Sequence, residues 1–162
     1  MKRAYIDIET SGWSSNYCDI TVVGIGVQRG GKISIVQIVG DDICESRLTE
    51  VLEGVERIYS FNGSRFDLPF IKRRLNVDIR KMVEHKDLMY DCWKRNLKGG
   101  LKAVERRLGI KREHAEIDGF MAVRLWWRYC NDNDLDALDK LLLYNRQDVA
   151  NLEELRLKLG VS

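Results

Sequence analysis

Three short stretches place carboxylates where the surrounding periodicity calls for core. In Tyr5-Ile6-Asp7-Ile8-Glu9-Thr10 the two acids are two residues apart in an alternating segment. Both side chains therefore leave the same face of a strand. Charges roughly 7 Å apart disfavour each other, and a divalent cation held by oxygen ligands removes the conflict. The alternative for this strand alone is an exposed sheet face that is acidic. In Phe61-Asn62-Gly63-Ser64-Arg65-Phe66-Asp67-Leu68-Pro69-Phe70-Ile71, Asp67 precedes Phe70 and Ile71 by three and four residues and shares their apolar helix face. A helix N-cap is the alternative for Asp67, because proline follows closely. In the run Leu141 to Leu152, Tyr144 and Asp148 stand at i and i+4 on the face that carries Leu141, Leu152, Leu155 and Leu159. A carboxylate buried in a leucine stripe without a partner costs several kcal/mol. Arg146 lies on another face, so the expected partner is a metal ion shared with the other acids. The alternative is an aspartate at the edge of the stripe that reaches water.

Positioning these acids requires a sheet and helices around it. Arg3–Ile8 alternates, with Ala4, Ile6 and Ile8 on one face and Tyr5, Asp7 and Glu9 on the other. Asp19–Gln28 is rich in β-branched residues, Arg29-Gly30-Gly31 is a turn, and Lys32–Val39 is the next strand. These three predict an antiparallel meander. A helix over Glu45–Leu52, a short strand over Arg57–Phe61 and a helix over Phe66–Leu75 follow. The remainder predicts a short strand near Met82–His85 and helices over Asp87–Arg95, Leu101–Leu108, Phe120–Tyr129 and Leu135–Leu159. The order predicts an α/β fold, a mixed sheet with helices on its faces. No repeat or linker interrupts it, so residues 1–162 are expected to form one domain.

Composition narrows the partners. With 44% hydrophobic and 32% charged residues, the chain can bury a core and is neither disordered nor collagen-like. The net charge of +2 conceals an uneven distribution. Residues 72–112 carry 14 basic and 5 acidic side chains, whereas residues 1–71 carry 7 and 10, and residues 113–162 carry 6 and 10. Basic segments attract phosphates, and acidic clusters repel them or hold cations. Cys18, Cys44, Cys92 and Cys130 match neither a zinc pattern nor a disulfide framework and suit a reducing cytosol. An acid at position 7 comes too early for a signal peptide, and Ile20 to Val27 is far too short to span a membrane. A cytoplasmic protein without a membrane partner is expected.

In order, the three stretches read Asp7-x-Glu9, Asn62-x-x-x-Phe66-Asp67 and Tyr144-x-x-x-Asp148. Together they resemble the DEDD superfamily of 3′–5′ exonucleases, which have the DnaQ-like version of the ribonuclease H fold. The third resembles its tyrosine subgroup, DEDDy; the histidine subgroup would want a histidine at the position of Leu143. Asn62 to Ile71 looks like the second motif of family-B polymerase proofreading domains. Leu97 to Glu105, with Tyr144 to Asp148, is similar to the stand-alone YprB-type ribonuclease H-like exonucleases.

The resemblance implies a metal-dependent 3′–5′ exonuclease. It would release nucleoside 5′-monophosphates from the 3′ end of single-stranded nucleic acid, DNA before RNA, with two divalent ions, Mg²⁺ or Mn²⁺. Asp7 would bridge the ions, Glu9 and Asp148 would complete one site, Asp67 would act through water on the other, and Tyr144 would orient the attacking water. Thr10, Ser11 and Gly12 would offer backbone N–H groups to the terminal nucleotide, and Asn62 and Phe66 would touch sugar or base, although Phe66 is equally a core candidate. Lys98 and Gly99 precede a helix start that could receive a phosphate, or simply cap it. Trp93, Trp126 and Trp127 are expected to pack, with base stacking as the alternative. The basic middle would guide the strand. A monomer is the default, and a partner protein that delivers substrate is left open. The alternatives are a ribonuclease H-like endonuclease or resolvase, and a catalytically silent nucleic-acid-binding domain.

Overall fold

The computed structural model describes residues 1–162. Five strands form one mixed sheet in the order β3-β2-β1-β4-β5: β1 is Arg3–Thr10, β2 Ile20–Arg29, β3 Lys32–Val39, β4 Arg57–Ser60 and β5 Glu84–Asp87. The first three make the antiparallel meander, while β1 pairs with β4, and β4 with β5, in parallel. The helices are α1 Glu45–Leu52, α2 Asp67–Leu75, α3 Leu88–Lys94, α4 Leu101–Leu108, α5 Gly119–Asp132 and α6 Leu135–Lys158. The expected β3, α1 and α4 coincide with the observed elements, and the other boundaries move by a few residues. β1 continues to Thr10, past the alternating segment, because Glu9 and Thr10 still pair with Val22 and Ile20 across a register shift. That irregularity bends the strand end beside the acids.

Alternation along β1 puts its two faces into two different cores. Ala4, Ile6 and Ile8 pack with residues of α1 and α2, among them Leu48, Leu52, Phe70 and Ile71. Tyr5 packs on the opposite face with Tyr59, Leu88, Val104 and the α6 residues Val149, Leu152 and Leu155. The face that carries Asp7 and Glu9 is therefore covered by a helix. The alternative of an exposed acidic sheet face is excluded: Glu9 is buried, and Asp7 is half-buried beneath α6.

α6 lies across β1, β2 and β3, and two glycines let it come close. Gly24 faces Asp7 across the β1–β2 ladder and Gly26 faces Tyr5. A Cβ on Gly24 would collide with Asn145 Oδ1 and lie 2.9 Å from Val149 Cγ2, and one on Gly26 would lie 2.9 Å from Val149 Cγ1. The missing side chains seat the helix on the sheet. Beyond Tyr5 and Tyr59 the β1–β4 pairing stops, so the carboxyl end of β1 and the loop after β4 diverge. They open a crevice at the strand ends, where open α/β sheets bind their ligands.

Gly24→Ala is expected to force α6 off the sheet. It should destabilise the protein by about 1–3 kcal/mol, the usual cost of overpacking, read as a lower urea midpoint. Gly54→Ala, where the left-handed backbone (φ 68°) strains a side chain but no neighbour lies within reach, separates backbone strain from the collision.

Candidate active site

The crevice is a cleft of about 190 Å³ whose walls include Asp7, Glu9, Asp67, Tyr144 and Asp148. One carboxylate oxygen from each of Asp7, Glu9 and Asp148 lies within 4.8 Å of the others. β1 supplies the first two and α6 the third. Asp67 stands just outside this trio on the same cleft, and its Oδ1 accepts a hydrogen bond from the Ile8 N–H at 3.0 Å. Asp67 thus does not cap α2: the cap position is Phe66, and no side chain closes it. A carboxylate that reaches across to β1 locks the second motif onto the first.

The acids are held by neutral and cationic partners. The fully buried Asn145 donates through Nδ2 to Asp7 Oδ2 at 3.0 Å and to the Asp7 carbonyl at 3.1 Å, while its Oδ1 accepts from Gln37 Nε2 at 3.0 Å. Asp148 does have a basic partner. Arg112, 36 positions earlier in the coil after α4, forms an ion pair with it. The same guanidinium grips Glu105 through Nε at 2.7 Å and Nη2 at 2.8 Å, and Asn151 Nδ2 donates to that glutamate at 2.9 Å. The expectation that a metal alone would balance Asp148 is corrected here. A buried carboxylate takes the cation that tertiary packing delivers, and only Arg146 is near in sequence. Asp87 is the third holder: its carboxylate accepts from the backbone N–H groups of Asn62 at 2.8 Å, Ser64 at 3.0 Å and Met89 at 3.1 Å.

The expected substrate contacts divide. Thr10, Asn62 and Phe66 line the cleft. Asn62 adopts the left-handed conformation (φ 62°) that turns the chain out of β4, and Phe66 also packs on the core and against Phe70. Ser11 cannot present its N–H, which donates to the Asp19 carbonyl at 2.9 Å. Gly12 is buried against Cys18, and its carbonyl accepts from Thr10 Oγ1. Lys98 is exposed, and neither it nor Gly99 is part of the cleft wall. Trp126 packs as expected, whereas Trp93 and Trp127 are 40% and 46% exposed. Trp127 braces the first loop by donating to the Ser11 carbonyl at 3.2 Å. The basic middle is only partly free, since Arg112 is consumed by the network above.

Electrostatically, the carboxylates at the cleft outnumber the cations beside it, Arg112 and Lys102. Burial, followed by the charge of Asp148, pushes Asp7 and Glu9 well above the ordinary carboxylate range. Burial lifts Asp67 to about 7, against the pull of the Ile8 N–H, and lifts Asp148 to about 6 despite Arg112. Burial and the neighbouring acids also raise the Tyr144 phenol above its ordinary range. Glu9 Oε1 is buried with no partner at all. An orphaned carboxylate oxygen beside two more carboxylates is the donor set that a hard divalent cation takes.

Two consequences are measurable. Arg112→Met, which leaves Asp148 and Glu105 buried without their cation, should cost about 3–5 kcal/mol in urea unfolding. Asp67 and Asp148 titrate near 4 when unfolded and at about 7 and about 6 when folded, so the folded state binds more protons. Their contribution to stability is complete below about pH 4 and is lost as pH rises through 6 and 7. In a chelator, the melting temperature of the wild type should therefore fall relative to that of Asp67→Asn between pH 5 and pH 8. Mn²⁺ should raise it more at pH 8 than at pH 5.

No curated protein is significantly similar to the chain. Among solved structures, the family B DNA polymerase of the hyperthermophilic archaeon Pyrobaculum calidifontis aligns over 99% of this chain and 24% of its own length, at 16% identity and a TM-score of 0.74. NrnC of Brucella melitensis aligns over 98% of this chain and 71% of its own, at 20% identity and 0.62. An E. coli ExoI–ssDNA complex aligns over 87% and 42%, at 12% and 0.50. The chain thus spans about a quarter of the polymerase and under three quarters of NrnC. At these identities the likeness is one of fold, and it is the ribonuclease H-like fold expected from the three motifs. The family model RNase_H_2, of the RNase_H superfamily, matches residues 4–159, which is nearly the whole of the sheet and helices described above, and the chain belongs to that family.

Proposed function

We propose that the chain is a single nuclease domain, residues 1–162, that removes nucleoside 5′-monophosphates one at a time from the 3′ end of a single strand. The observation that carries this reading is the convergence of Asp7, Glu9 and Asp148 on one point of a cleft, with a buried glutamate oxygen left without a partner.

Asp7, Glu9 and Asp148, with Asp67 at the margin, would hold divalent cations, Mg²⁺ or Mn²⁺, which when bound offset phosphate charge and acidify water. The chain's own groups do the rest. Asn145 fixes the rotamer of Asp7 by its paired hydrogen bonds, and Arg112 fixes that of Asp148. Asp67, fastened to the Ile8 N–H, keeps its second oxygen for the cleft. Tyr144, on the same helix face as Asp148, would orient the attacking water. Thr10, Asn62 and Phe66 form the wall against which a terminal sugar and base would rest.

The test uses 5′-labelled and 3′-labelled single strands of DNA and RNA, with Mg²⁺ or Mn²⁺. A 3′ label should leave as a mononucleotide at once, and a 5′ label should shorten stepwise. Asp148→Ala should abolish cleavage, and Tyr144→Phe should retain a small fraction of it, of the order of 1% for one lost positioning contact. Full activity in Asp148→Ala would remove the assignment, and cleavage of a circular strand at a comparable rate would make the protein an endonuclease.

A further inference from the structure

We propose that an exposed stack formed by Arg65, Trp93 and Tyr90 is the docking platform for the single strand upstream of the cleft. This inference rests on the nuclease reading above and specifies how that site is fed.

Helix α3 buries Leu88, Met89 and Cys92, yet it leaves Tyr90 and Trp93, one turn apart, 38% and 40% exposed. Their rings meet edge to face, with centroids 5.4 Å apart at 88°. The exposed Arg65 brings its guanidinium carbon to 5.4 Å from the Trp93 ring centroid. A flat cation beside two water-facing aromatic rings matches the repeating chemistry of a single strand, in which an apolar face and an anionic phosphate recur with every nucleotide.

The place and rigidity of the stack favour that ligand. Arg65 immediately precedes Phe66 and Asp67, both in the cleft wall, so the platform begins about one residue, roughly 4 Å of chain, from the site. One buried carboxylate sets their spacing. Asp87 accepts from Asn62 and Ser64 of the cleft loop and from Met89 in the first turn of α3. Arg80 Nη2 donates to the Ser64 carbonyl at 2.5 Å and adds a positive charge beside the same loop. Lys94 and Lys98, both exposed, extend the basic surface along the chain after Trp93. The acidic cleft repels phosphates until cations are bound, so a strand needs a cationic foothold outside it. This surface supplies one at the cleft's edge.

The decisive measurement compares wild type, Trp93→Ala, Trp93→Phe and Arg65→Ala. Fluorescence anisotropy would follow a labelled 15-nucleotide oligothymidylate and the matching oligouridylate in EDTA, and kinetics would follow the 15-mers and a trinucleotide with Mn²⁺. Trp93→Ala should weaken 15-mer binding about tenfold, the size of one lost base–aromatic stack. It should raise KM on the 15-mers to match and leave kcat and trinucleotide cleavage within about twofold. Trp93→Phe should recover most of the loss, and Arg65→Ala should flatten the salt dependence of log Kd by about 0.7. Equal losses on both 15-mers would assign the platform to bases and phosphates in general, and a loss confined to one would assign it to that type of strand. Wild-type affinity and KM in both Trp93→Ala and Arg65→Ala, while the wild type degrades the 15-mers, would overturn the platform and leave the nuclease reading intact. If the wild type degrades neither substrate, the nuclease reading fails, and the anisotropy comparison still decides whether this surface binds strands.

Discussion

Mutual repulsion among Asp7, Glu9 and Asp148 is the constraint on which the rest of the structure turns. Three carboxylates within 4.8 Å of one another, in a site largely closed to water, oppose folding. Like charges there raise each other's proton affinity, and here they do so on top of burial. A sequence under no demand but stability would place leucine or valine at these positions. The chain instead surrounds the cluster with structure stable enough to keep it in place. Both faces of β1 are packed, one within a cluster of 17 buried residues and the other within a cluster of 11, so the strand cannot twist away to relieve the charge.

Helix α6 shows how that tolerance is organised. Its buried stripe contains Asn145, Asp148, Asn151 and Arg156 among the leucines, and each polar member has a partner. Asn145 is bound to Asp7 and Gln37, Asp148 to Arg112, Asn151 to Glu105, and Arg156 to the Tyr5 hydroxyl at 2.7 Å and the Val161 carbonyl at 2.8 Å. Every one of these contacts runs from α6 to a residue outside it. The helix is thereby fixed in rotation as well as position, because buried polar groups tolerate little misalignment. Hydrophobic packing alone would allow α6 to slide or roll by a fraction of a turn. The glycines of β2 then bring the fixed helix close enough for Asn145 to reach Asp7.

The parts that could be read along the chain are those governed by local period. The meander, α1 and α4 follow from alternation, turn glycines and helical spacing. The acids stood out because each broke the apolar pattern around it. The supporting groups escaped that reasoning for a common physical reason. Arg112 meets Asp148 across 36 positions and Gln37 meets Asn145 across 108, distances over which periodicity carries no information. Asn145 was nearer to hand: it lies on the same stripe as Asp148, a second polar break that asks for a partner just as the first does. Asp87 looked like an ordinary helix start and is one, its Oδ1 accepting from Met89. Its two further bonds to the cleft loop exist only because β4 and β5 end side by side. Ser11 fails in the opposite direction, since a polar loop residue after the first motif offered an N–H that the β1–β2 connection had already engaged.

Arg112 and the expected cations answer the same need in different ways, and the difference explains why both belong here. A guanidinium fixed by Glu105 and Asn151 can neutralise one oxygen of Asp148, but its planar fork cannot also face Asp7 and Glu9. Bound to two carboxylates at once, it is a structural cation. Its charge is spent inside the protein, and ion pairing outweighs burial to keep it protonated. Glu9 Oε1, without any partner, marks where this internal compensation stops. Further protein cations at that point would neutralise the cleft permanently and fill its space. A dissociable divalent ion, if the proposed function holds, would leave the acids free to share its charge with a bound anion. The network around Arg112 therefore compensates the cluster only as far as folding requires and leaves the remainder of the charge deficit to whatever the cleft binds.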